Sequence, residues 1–443
     1  MSNPTVPPPW RWFNEARFGL FLHWGPYAQI GRGEQPLFRE HWPQREYAEL
    51  ACRWNPDRYD PSAWADVARR AGMKYAVLTT RHHDGFCLWD SKCTDYTAAA
   101  QAAGRDFVRE YVQAFRAAGL RVGLYYSLAD WRIPAYWAGP ADDPDGFAEF
   151  RRYVHDQVRE LLSDYGEIST LWFDGCWPHA AEDWGADEIV AMARTLQPEI
   201  LINNRLGRRK AEPAADNANT GAEIGDFGTP EHKIHADPDR LWESCQVTTW
   251  RLWGYCVGER WRPADVLLDM LVDCASQGGN LLLNVGPRPD GTLPPEFIDR
   301  AERIGRWLDV HGEAVYGTEA DDVCEFVTYG RQTKKGNTLY LVIRFWPRRE
   351  QLHLPGLATR VVRATLLTTA SELPFTQDAD GLTISALPIE PPTELFPVIR
   401  LDFDEPPRAL PSAADRLWQG DPRRMVPWAA KRGQSVWTDG KQR

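Results

Sequence analysis

Polar and aromatic side chains close a series of short apolar runs in the first two thirds of the chain. Each run is typical of a buried parallel strand, and each ends in groups that can accept, donate or transfer a proton. These groups are His23-Trp24, His82-His83-Asp84, Tyr125-Tyr126 with Asp130-Trp131, Trp172 with Asp174, Asn203-Asn204-Arg205, and Trp242-Glu243. One buried His or Asp at a strand end is usually structural, but six groups that would meet at one end of a parallel barrel predict a functional site.

Asp174 is the strongest single candidate for a reacting group. It ends the apolar run that starts at Thr170, and Gly175 follows it. Glycine lets the backbone turn beneath a ligand, so the carboxylate is placed to attack a carbon such as the anomeric carbon of a sugar. Glycoside hydrolysis generally requires a second carboxyl group, about 5 Å away if configuration is retained and further away if it is inverted.

The composition favours a neutral, sugar-like ligand. The 21 Trp residues outnumber both the 15 Tyr and the 17 Phe residues, and indole rings stack well on the flat C–H faces of pyranoses. A net charge of -11 argues against nucleic acid, because binding phosphates requires clustered Lys and Arg. No membrane span is expected either, and the absence of a basic, apolar N-terminal segment predicts a cytoplasmic protein.

Neither a metal nor another cofactor is expected. The eight cysteines are scattered without a C-x-x-C pair, which indicates free thiols and no zinc site or disulfide framework. The neighbouring His82 and His83 would point to opposite sides of an extended strand, so both could bind one ion only where the strand has ended. Neutral imidazoles that exchange hydrogen bonds with ring hydroxyls suit them better.

The hydrophobic pattern predicts two domains and a tail. Apolar runs alternate with amphipathic stretches up to about Leu308, which favours an α/β fold, an irregular (β/α)8-like barrel over residues 1–317. Short strand-like runs then predict an all-β sandwich over residues 318–405, and a tail rich in Pro, Arg and Trp follows over residues 406–443. The predicted sandwich strands are Cys324–Thr328, Thr338–Phe345, Arg360–Leu367, Leu382–Ile384 and Val398–Phe403. The predicted barrel strands are Phe18–His23, Tyr75–Thr80, Arg121–Ser127, Thr170–Asp174, Ile200–Asn204, Leu241–Ser244 and Leu281–Val285.

Long ordered segments of the chain resemble glycoside hydrolase family 29, the α-L-fucosidases. The resemblance extends from about Arg17 through the segment 312–317 and, in general texture, into the β module. The segments that carry it are Phe18-Gly-Leu-Phe-Leu-His-Trp-Gly, the run Lys74–Lys92 with Arg-His-His-Asp-Gly-Phe, Val122-Gly-Leu-Tyr-Tyr-Ser-Leu-Ala-Asp-Trp, and Ser276-Gln-Gly-Gly-Asn-Leu-Leu-Leu-Asn-Val-Gly-Pro. The fold of that family is an irregular barrel followed by a β-sandwich, which agrees with the pattern.

By this resemblance the chain is expected to be a retaining exo-acting α-L-fucosidase with Asp174 as nucleophile. Glu231, in Gly225-Asp-Phe-Gly-Thr-Pro-Glu, matches the stretch that carries the acid/base in many members, and Glu223 is the alternative. His23, His82, His83 and Tyr126 are expected to hold hydroxyls. Trp172 would line the ring, Arg205 would lie near the nucleophile, and Trp253 would face the methyl group.

The chain departs from the family pattern after the first strand. Many relatives have Glu-Trp there, whereas this chain has Glu34-Gln35. Glu34 is expected to keep a hydroxyl contact, and Trp42 to replace the missing ring. Two other functions stay open: a catalytically silent fucose-binding protein, and a hydrolase for a galactose-configured sugar.

Overall fold

A computed structural model describes residues 6–210, 224–237, 240–320, 323, 327–379 and 381–410. The chain divides into two compact units, Met1–Glu319 and Ala320–Arg443, close to the boundary predicted after Gly317. The tail from residue 411 onward, with its three Trp residues, lies outside the described residues.

The first unit is built on eight parallel strands. They are β1 (Phe18–Leu22), β2 (Tyr75–Arg81), β3 (Arg121–Ser127), β4 (Thr170–Asp174), β5 (Leu201–Ile202), β6 (Phe227–Gly228), β7 (Leu241–Val247) and β8 (Asn280–Val285). Their order is β5-β4-β3-β2-β1-β8-β7-β6, and a parallel bridge from Asn203 to Phe227 joins the two edge strands. The predicted (β/α)8-like barrel is therefore confirmed, with β5 and β6 as its short, irregular side.

Helices surround the barrel. They are α1 (Arg11–Ala16), α2 (Pro36–Arg39), α3 (Gln44–Arg53), α4 (Pro61–Arg70), α5 (Phe107–Ala117), α6 (Pro134–Asp142), α7 (Pro144–Ser163), α8 (Ala181–Trp184), α9 (Ala186–Leu196), α10 (Ala264–Ser276) and α11 (Pro295–His311). The longer ones, such as α4, α5 and α7, are amphipathic. Helix α4 shows how sequence sets these bounds. At its N-terminus, the Asp60 side chain accepts hydrogen bonds from the backbone N–H groups of Ser62 and Ala63. After its C-terminus, Gly72 has a positive φ, which ends the helix.

Alternation along the strands separates the barrel interior from the outer layer. Every residue of β1, β2 and β8 is buried, as expected for parallel strands covered by helices. Close to the barrel floor, a Cβ atom on Gly19 would lie 2.4 Å from the Tyr75 ring. Glycine in β1 is therefore required for Tyr75 of β2 to lie inside the barrel.

The second unit consists of two antiparallel sheets that share one core. Their strands are β9 (Gly330–Lys335), β10 (Thr338–Ile343), β11 (Leu352–Pro355), β12 (Val361–Leu366), β13 (Ser371–Glu372), β14 (Phe375–Asp378), β15 (Gly381–Ile384) and β16 (Val398–Phe403). One sheet has the order β13-β12-β16-β10-β9 and the other β11-β15-β14. Leu341, Ile399, Leu354 and Leu382 lie in one buried cluster, so the predicted β-sandwich is confirmed.

Several strand predictions differ from the structure. The predicted strand Ile200–Asn204 shortens to β5, and the Asn203 side chain instead bonds both backbone polar groups of Phe173 in β4. Strand β6 was missed, since two residues carry no periodic signal. Strand β9, Gly-Arg-Gln-Thr-Lys-Lys, is too polar for a hydrophobic pattern to reveal. The predicted strand Cys324–Thr328 falls partly outside the described residues, and its described part is not a strand.

In the part of the chain that the structure describes, no helix is both long and apolar enough to cross a bilayer. The cysteines described there are free thiols.

Candidate active site

A cavity of about 490 Å³ lies at the carboxyl ends of the barrel strands. This is the end at which parallel barrels place their functional groups. The predicted site residues that line the cavity are Asp174, Glu231, His23, His82, His83, Trp172, Arg205 and Trp253. They come from β4 and from the segments that follow β1, β2, β5, β6 and β7, so the barrel brings together residues far apart in sequence.

Two carboxylates share one guanidinium in this cavity. Arg205 Nη1 donates to Asp174 Oδ1 at 3.2 Å and to Glu231 Oε2 at 3.0 Å. Both carboxylates keep access to solvent, with 13% of the Asp174 side chain and 24% of the Glu231 side chain exposed. The arrangement holds two acids beside one ligand volume. Glu223, the alternative to Glu231, lies outside the described residues.

Arg205 is fixed on its other sides. Its Nε donates to Thr229 Oγ1 at 2.9 Å and its Nη2 donates to the Thr229 carbonyl at 3.0 Å. The guanidinium carbon lies 4.6 Å from the centre of the Trp172 ring, a cation–π distance. Burial alone would lower the pKa of Arg205, but the carboxylates of Glu231 and Asp174 raise it above its usual value. Arg205 is therefore a permanent cation in a fixed position.

A second donor to the proposed nucleophile is Tyr125, not the predicted Tyr126. Tyr125 Oη donates to Asp174 Oδ2 at 3.0 Å. Tyr126 points to the opposite face of β3, where Arg81 donates to its hydroxyl and the hydroxyl donates to Gln157 at 2.9 Å. The prediction for Tyr126 is corrected on this ground. The register of the strands explains the correction, because Tyr125 pairs with Trp172, and Trp172 lies on the same face of β4 as Asp174.

Hydrogen bonds assign the tautomer of His23. Asn284 donates its Nδ2 to the Trp253 carbonyl at 2.7 Å, so its Oδ1 is the acceptor that lies 2.6 Å from His23 Nδ1. His23 Nδ1 consequently carries the hydrogen. Burial lowers the pKa of His23 to about 3, partly opposed by the bond to Asn284. The ring is neutral, and Nε2 is left as an acceptor for a ligand hydroxyl.

The same reasoning applies to His83. Ser127 Oγ donates its hydrogen to the Ala129 carbonyl at 2.8 Å, so it accepts from His83 Nδ1 at 2.7 Å. Burial lowers the pKa of His83, although the negative charge of Asp174 partly opposes this effect. His83 Nε2 therefore carries no hydrogen and is an acceptor, 3.7 Å from Asp174 Oδ2. The two acceptors, His83 Nε2 and Asp174 Oδ2, favour a ligand with a donor group, such as a hydroxyl, between them.

His82 also lines the cavity, because the strand ends before the histidine pair. The two rings lie 4.1 Å apart, and His82 Nδ1 has no hydrogen-bond partner among the described residues. Burial, with the neighbouring imidazoles, keeps the pKa of His82 well below its usual value. In the described ranges no group of three or more His, Cys, Asp or Glu side chains is arranged to hold a metal ion.

Glu34 and Trp42 do not line the cavity. Glu34 is buried, and its Oε2 accepts the backbone N–H groups of Trp253 and Gly254 at 3.0 Å each. It positions Trp253 and does not itself reach the ligand volume. Trp42 Nε1 donates to Glu40 at 3.1 Å. Phe38, from α2, lines the cavity in its place, so both predictions of direct contact are corrected.

Glu243 forms a buried support below the carboxylates, which the strand-end pattern indicated only as a polar group. Its Oε1 accepts from Trp172 Nε1 at 2.8 Å and its Oε2 accepts from Tyr75 Oη at 2.5 Å. Burial raises the pKa of Glu243 to about 7, although both hydrogen bonds oppose this. Glu243 thereby orients the indole on which Arg205 lies.

Two partly exposed carboxylates on one arginine, with neutral imidazoles around one sugar-sized cavity, define a glycoside hydrolase. Comparisons with known proteins agree. A sequence model described as Alpha-L-fucosidase matches residues 5–313. Tissue α-L-fucosidase of Homo sapiens is 30% identical over 417 residues, which cover 86% of this chain and 86% of the relative.

Solved structures show the same likeness. α-L-Fucosidase isoenzyme 1 from Paenibacillus thiaminolyticus has a TM-score of 0.81 at 38% identity and covers 90% of this chain and 99% of its own. A GH29 α-L-fucosidase from Bacteroides thetaiotaomicron, trapped as a covalent intermediate with 2-fluoro-fucosyl fluoride, has a TM-score of 0.82 at 30% identity, with coverages of 91% and 97%. The chain belongs to the α-L-fucosidase family, glycoside hydrolase family 29.

The two adjacent tyrosines provide a matched test of the site geometry. In Tyr125→Phe, the Asp174 carboxylate loses the hydrogen bond that the Tyr125 hydroxyl donates to it. We therefore expect kcat/KM on an aryl α-L-fucoside to fall about 10- to 100-fold. In Tyr126→Phe we expect kcat/KM to stay within about twofold. Steady-state kinetics of both variants decide the matter, and a larger loss for Tyr126→Phe would refute the assignment.

The raised pKa of Glu243 predicts how stability depends on pH. Between about pH 4.3, where a glutamate ionises in the unfolded chain, and about pH 7, the folded protein holds a proton that the unfolded chain has lost. The contribution of Glu243 to stability therefore falls as pH rises through this window and is constant outside it. We expect the difference in free energy of unfolding, wild type minus Glu243→Gln, to decrease over the window. Urea denaturation at several pH values measures it, and a pH-independent difference would contradict the prediction.

Proposed function

We propose that this protein is a retaining exo-α-L-fucosidase that releases terminal α-L-fucosyl residues from oligosaccharides or glycosides. Asp174 is the nucleophile and Glu231 the acid and base. The observation that carries the proposal is the contact of one Arg205 nitrogen with both carboxylates.

The spacing favours retention. Because both carboxylates contact the same Nη1 atom, at 3.2 and 3.0 Å, their nearest oxygens are separated by no more than the two contacts end to end. Closely spaced carboxyl groups, roughly 5–5.5 Å apart, are typical of retaining enzymes, whereas inverting enzymes keep them roughly 6.5–9.5 Å apart to leave room for a water molecule between substrate and base.

In the first step an Asp174 oxygen forms a bond to the anomeric carbon, and the bond from that carbon to the glycosidic oxygen breaks. The electron pair stays on the leaving oxygen, which takes a proton from Glu231. The products are a glycosyl ester on Asp174 and a free alcohol. Tyr125 and His83 lie on the Asp174 side of this step and restrict where the carboxylate points.

In the second step Glu231 accepts a proton from water while the water oxygen bonds to the anomeric carbon and the ester bond breaks. Arg205 links the two steps, because ester formation removes the negative charge on Asp174. The guanidinium then contacts one carboxylate group, that of Glu231.

The shape of the cavity supports an exo-acting enzyme. His23, His82 and Trp172 close its inner end and are almost fully buried, so a polysaccharide chain has no path beyond the ring bound there. The acceptor nitrogens of His23 and His83 suit hydroxyl donors, and Trp253 offers an apolar face for the methyl group of fucose.

Two other functions are separated from this one by direct assays. A silent sugar-binding protein would bind fucose in a calorimeter without hydrolysing a fucoside. A hydrolase for galactose-configured sugars would cleave an aryl β-D-galactoside faster than an aryl α-L-fucoside. The paired carboxylates, both open to one cavity, favour catalysis over binding alone.

A cytoplasmic location remains a prediction, consistent with free thiols in the described residues. Imported fucosylated oligosaccharides would then be the substrates. Cell fractionation followed by immunoblotting tests it, and recovery outside the cytoplasm would contradict it.

Replacing the nucleophile tests the first step. For Asp174→Gly we expect turnover to fall by several orders of magnitude, because no ester can form. Incubation of wild-type protein with 2-fluoro-fucosyl fluoride should add one fluorofucosyl group to the peptide that contains Asp174, as measured by mass spectrometry. Wild-type-like activity of the variant, or a label on a different carboxylate, would eliminate the assignment.

Replacing the acid tests Glu231 against Glu223. For Glu231→Ala we expect a larger loss of kcat/KM on fucosides with poor, alkyl-type leaving groups than on aryl fucosides, since a good leaving group needs little protonation. Glu223→Ala is the matched variant and should show no such difference. Equal losses on both substrate types for Glu231→Ala, or the differential pattern in Glu223→Ala, would assign the acid elsewhere.

A further inference from the structure

Three large aromatic side chains at the edge of the cavity are exposed to solvent. Phe38 is 48% exposed, Trp137 51% and Trp177 42%, and all three line the same cavity as Asp174. Exposed aromatic surface that borders a cavity commonly marks a binding surface, because leaving such area in water is unfavourable. Neither the hydrolytic mechanism nor the fold requires these rings to be exposed.

The rings are fixed before any ligand binds. Phe38 and Trp137 stack at 5.8 Å with an interplanar angle of 15°, and Phe38 lies 5.0 Å from Trp131. Trp137 Nε1 donates to the Trp131 carbonyl at 2.9 Å. Phe38 belongs to α2 and Trp137 to α6, so separate segments build one surface. We call Phe38, Trp131, Trp137 and Trp177 the aromatic platform.

The aromatic platform is continuous with the reacting groups. His83, whose Nε2 lies 3.7 Å from Asp174, has its ring 5.0 Å from Trp131 and 5.7 Å from Trp177. The exposed rings therefore extend from His83 towards solvent. Because the rings and both carboxylates line one cavity, a leaving group protonated by Glu231 can reach these rings on its way to solvent.

We propose that the aromatic platform binds the pyranose ring to which the fucosyl group is attached, by stacking on its C–H face. The proposal rests on the proposed function and names its leaving group. Polar groups beside the platform fit a sugar: Gln35 and Arg39 line the cavity and are linked by an Arg39 Nε to Gln35 Oε1 bond of 2.8 Å. They supply partners for pyranose hydroxyls, which an aromatic leaving group lacks. The natural substrates are accordingly fucosylated oligosaccharides and not simple alkyl or aryl fucosides.

The test compares a fucosyl-galactose disaccharide with methyl α-L-fucoside, whose leaving group has no ring. For Trp137→Ala and Phe38→Ala we expect the ratio of kcat/KM, disaccharide over methyl fucoside, to fall about 10-fold. Trp250→Ala and Phe345→Ala are matched controls, since these rings are 50% and 69% exposed but do not line the cavity. Their ratio should equal that of the wild type. Trp137→Phe, which keeps a ring, should recover most of the loss.

Two results would overturn the proposal. The ratio could stay unchanged in both platform variants, and if kcat/KM then falls equally on both substrates, the rings have a structural role. Alternatively, an aryl fucoside could lose activity while the disaccharide does not, which would assign the rings to aromatic leaving groups.

Failure of the proposed function gives a different result, namely wild-type protein that cleaves neither glycoside. Calorimetric binding of the same two sugars then tests the platform separately. Weaker binding of the disaccharide alone in Trp137→Ala supports it, and unchanged or equally weakened binding of both sugars overturns it.

Discussion

The contact of one arginine nitrogen with two carboxylates is the interaction on which the site depends. Arg205 sets the distance between Asp174 and Glu231 and supplies one positive charge for two acidic groups. Without that charge, two neighbouring carboxylates in a partly dry cavity would repel each other and separate or take up protons. Its rigidity matters as much as its charge, and Thr229 and the Trp172 ring provide it.

The barrel supports this arginine through a column of side chains. Gly19 leaves space for the Tyr75 ring, Tyr75 and Trp172 donate to Glu243, and the Trp172 indole lies against Arg205. A buried carboxyl group is costly in itself, and here it is satisfied by two donors. The packed residues at the barrel floor thereby fix the position of Arg205 at the cavity, as a rigid functional site requires.

The strand-end rule located much of the site from sequence, because barrel geometry makes the ends of apolar runs converge. It indicated Asp174, the histidine pair and Arg205, all of which line the cavity. It could not choose between Tyr125 and Tyr126, which close the same run; the resemblance indicated Tyr126, whereas the facing of side chains on β3 selects Tyr125. Contacts made by long loops were also beyond it: Glu34 binds backbone amides, and the aromatic platform assembles from α2, α6 and two loops whose approach no periodicity encodes.

We propose that Arg205 holds the two carboxylates at the short spacing that a double displacement requires. Proton NMR, recorded before mutarotation, identifies the anomer of fucose that is first released from an aryl α-L-fucoside. With a double displacement, α-L-fucose appears first and the β-anomer only later, as mutarotation proceeds. Initial appearance of β-L-fucose would show inversion and rule out a double displacement at Asp174.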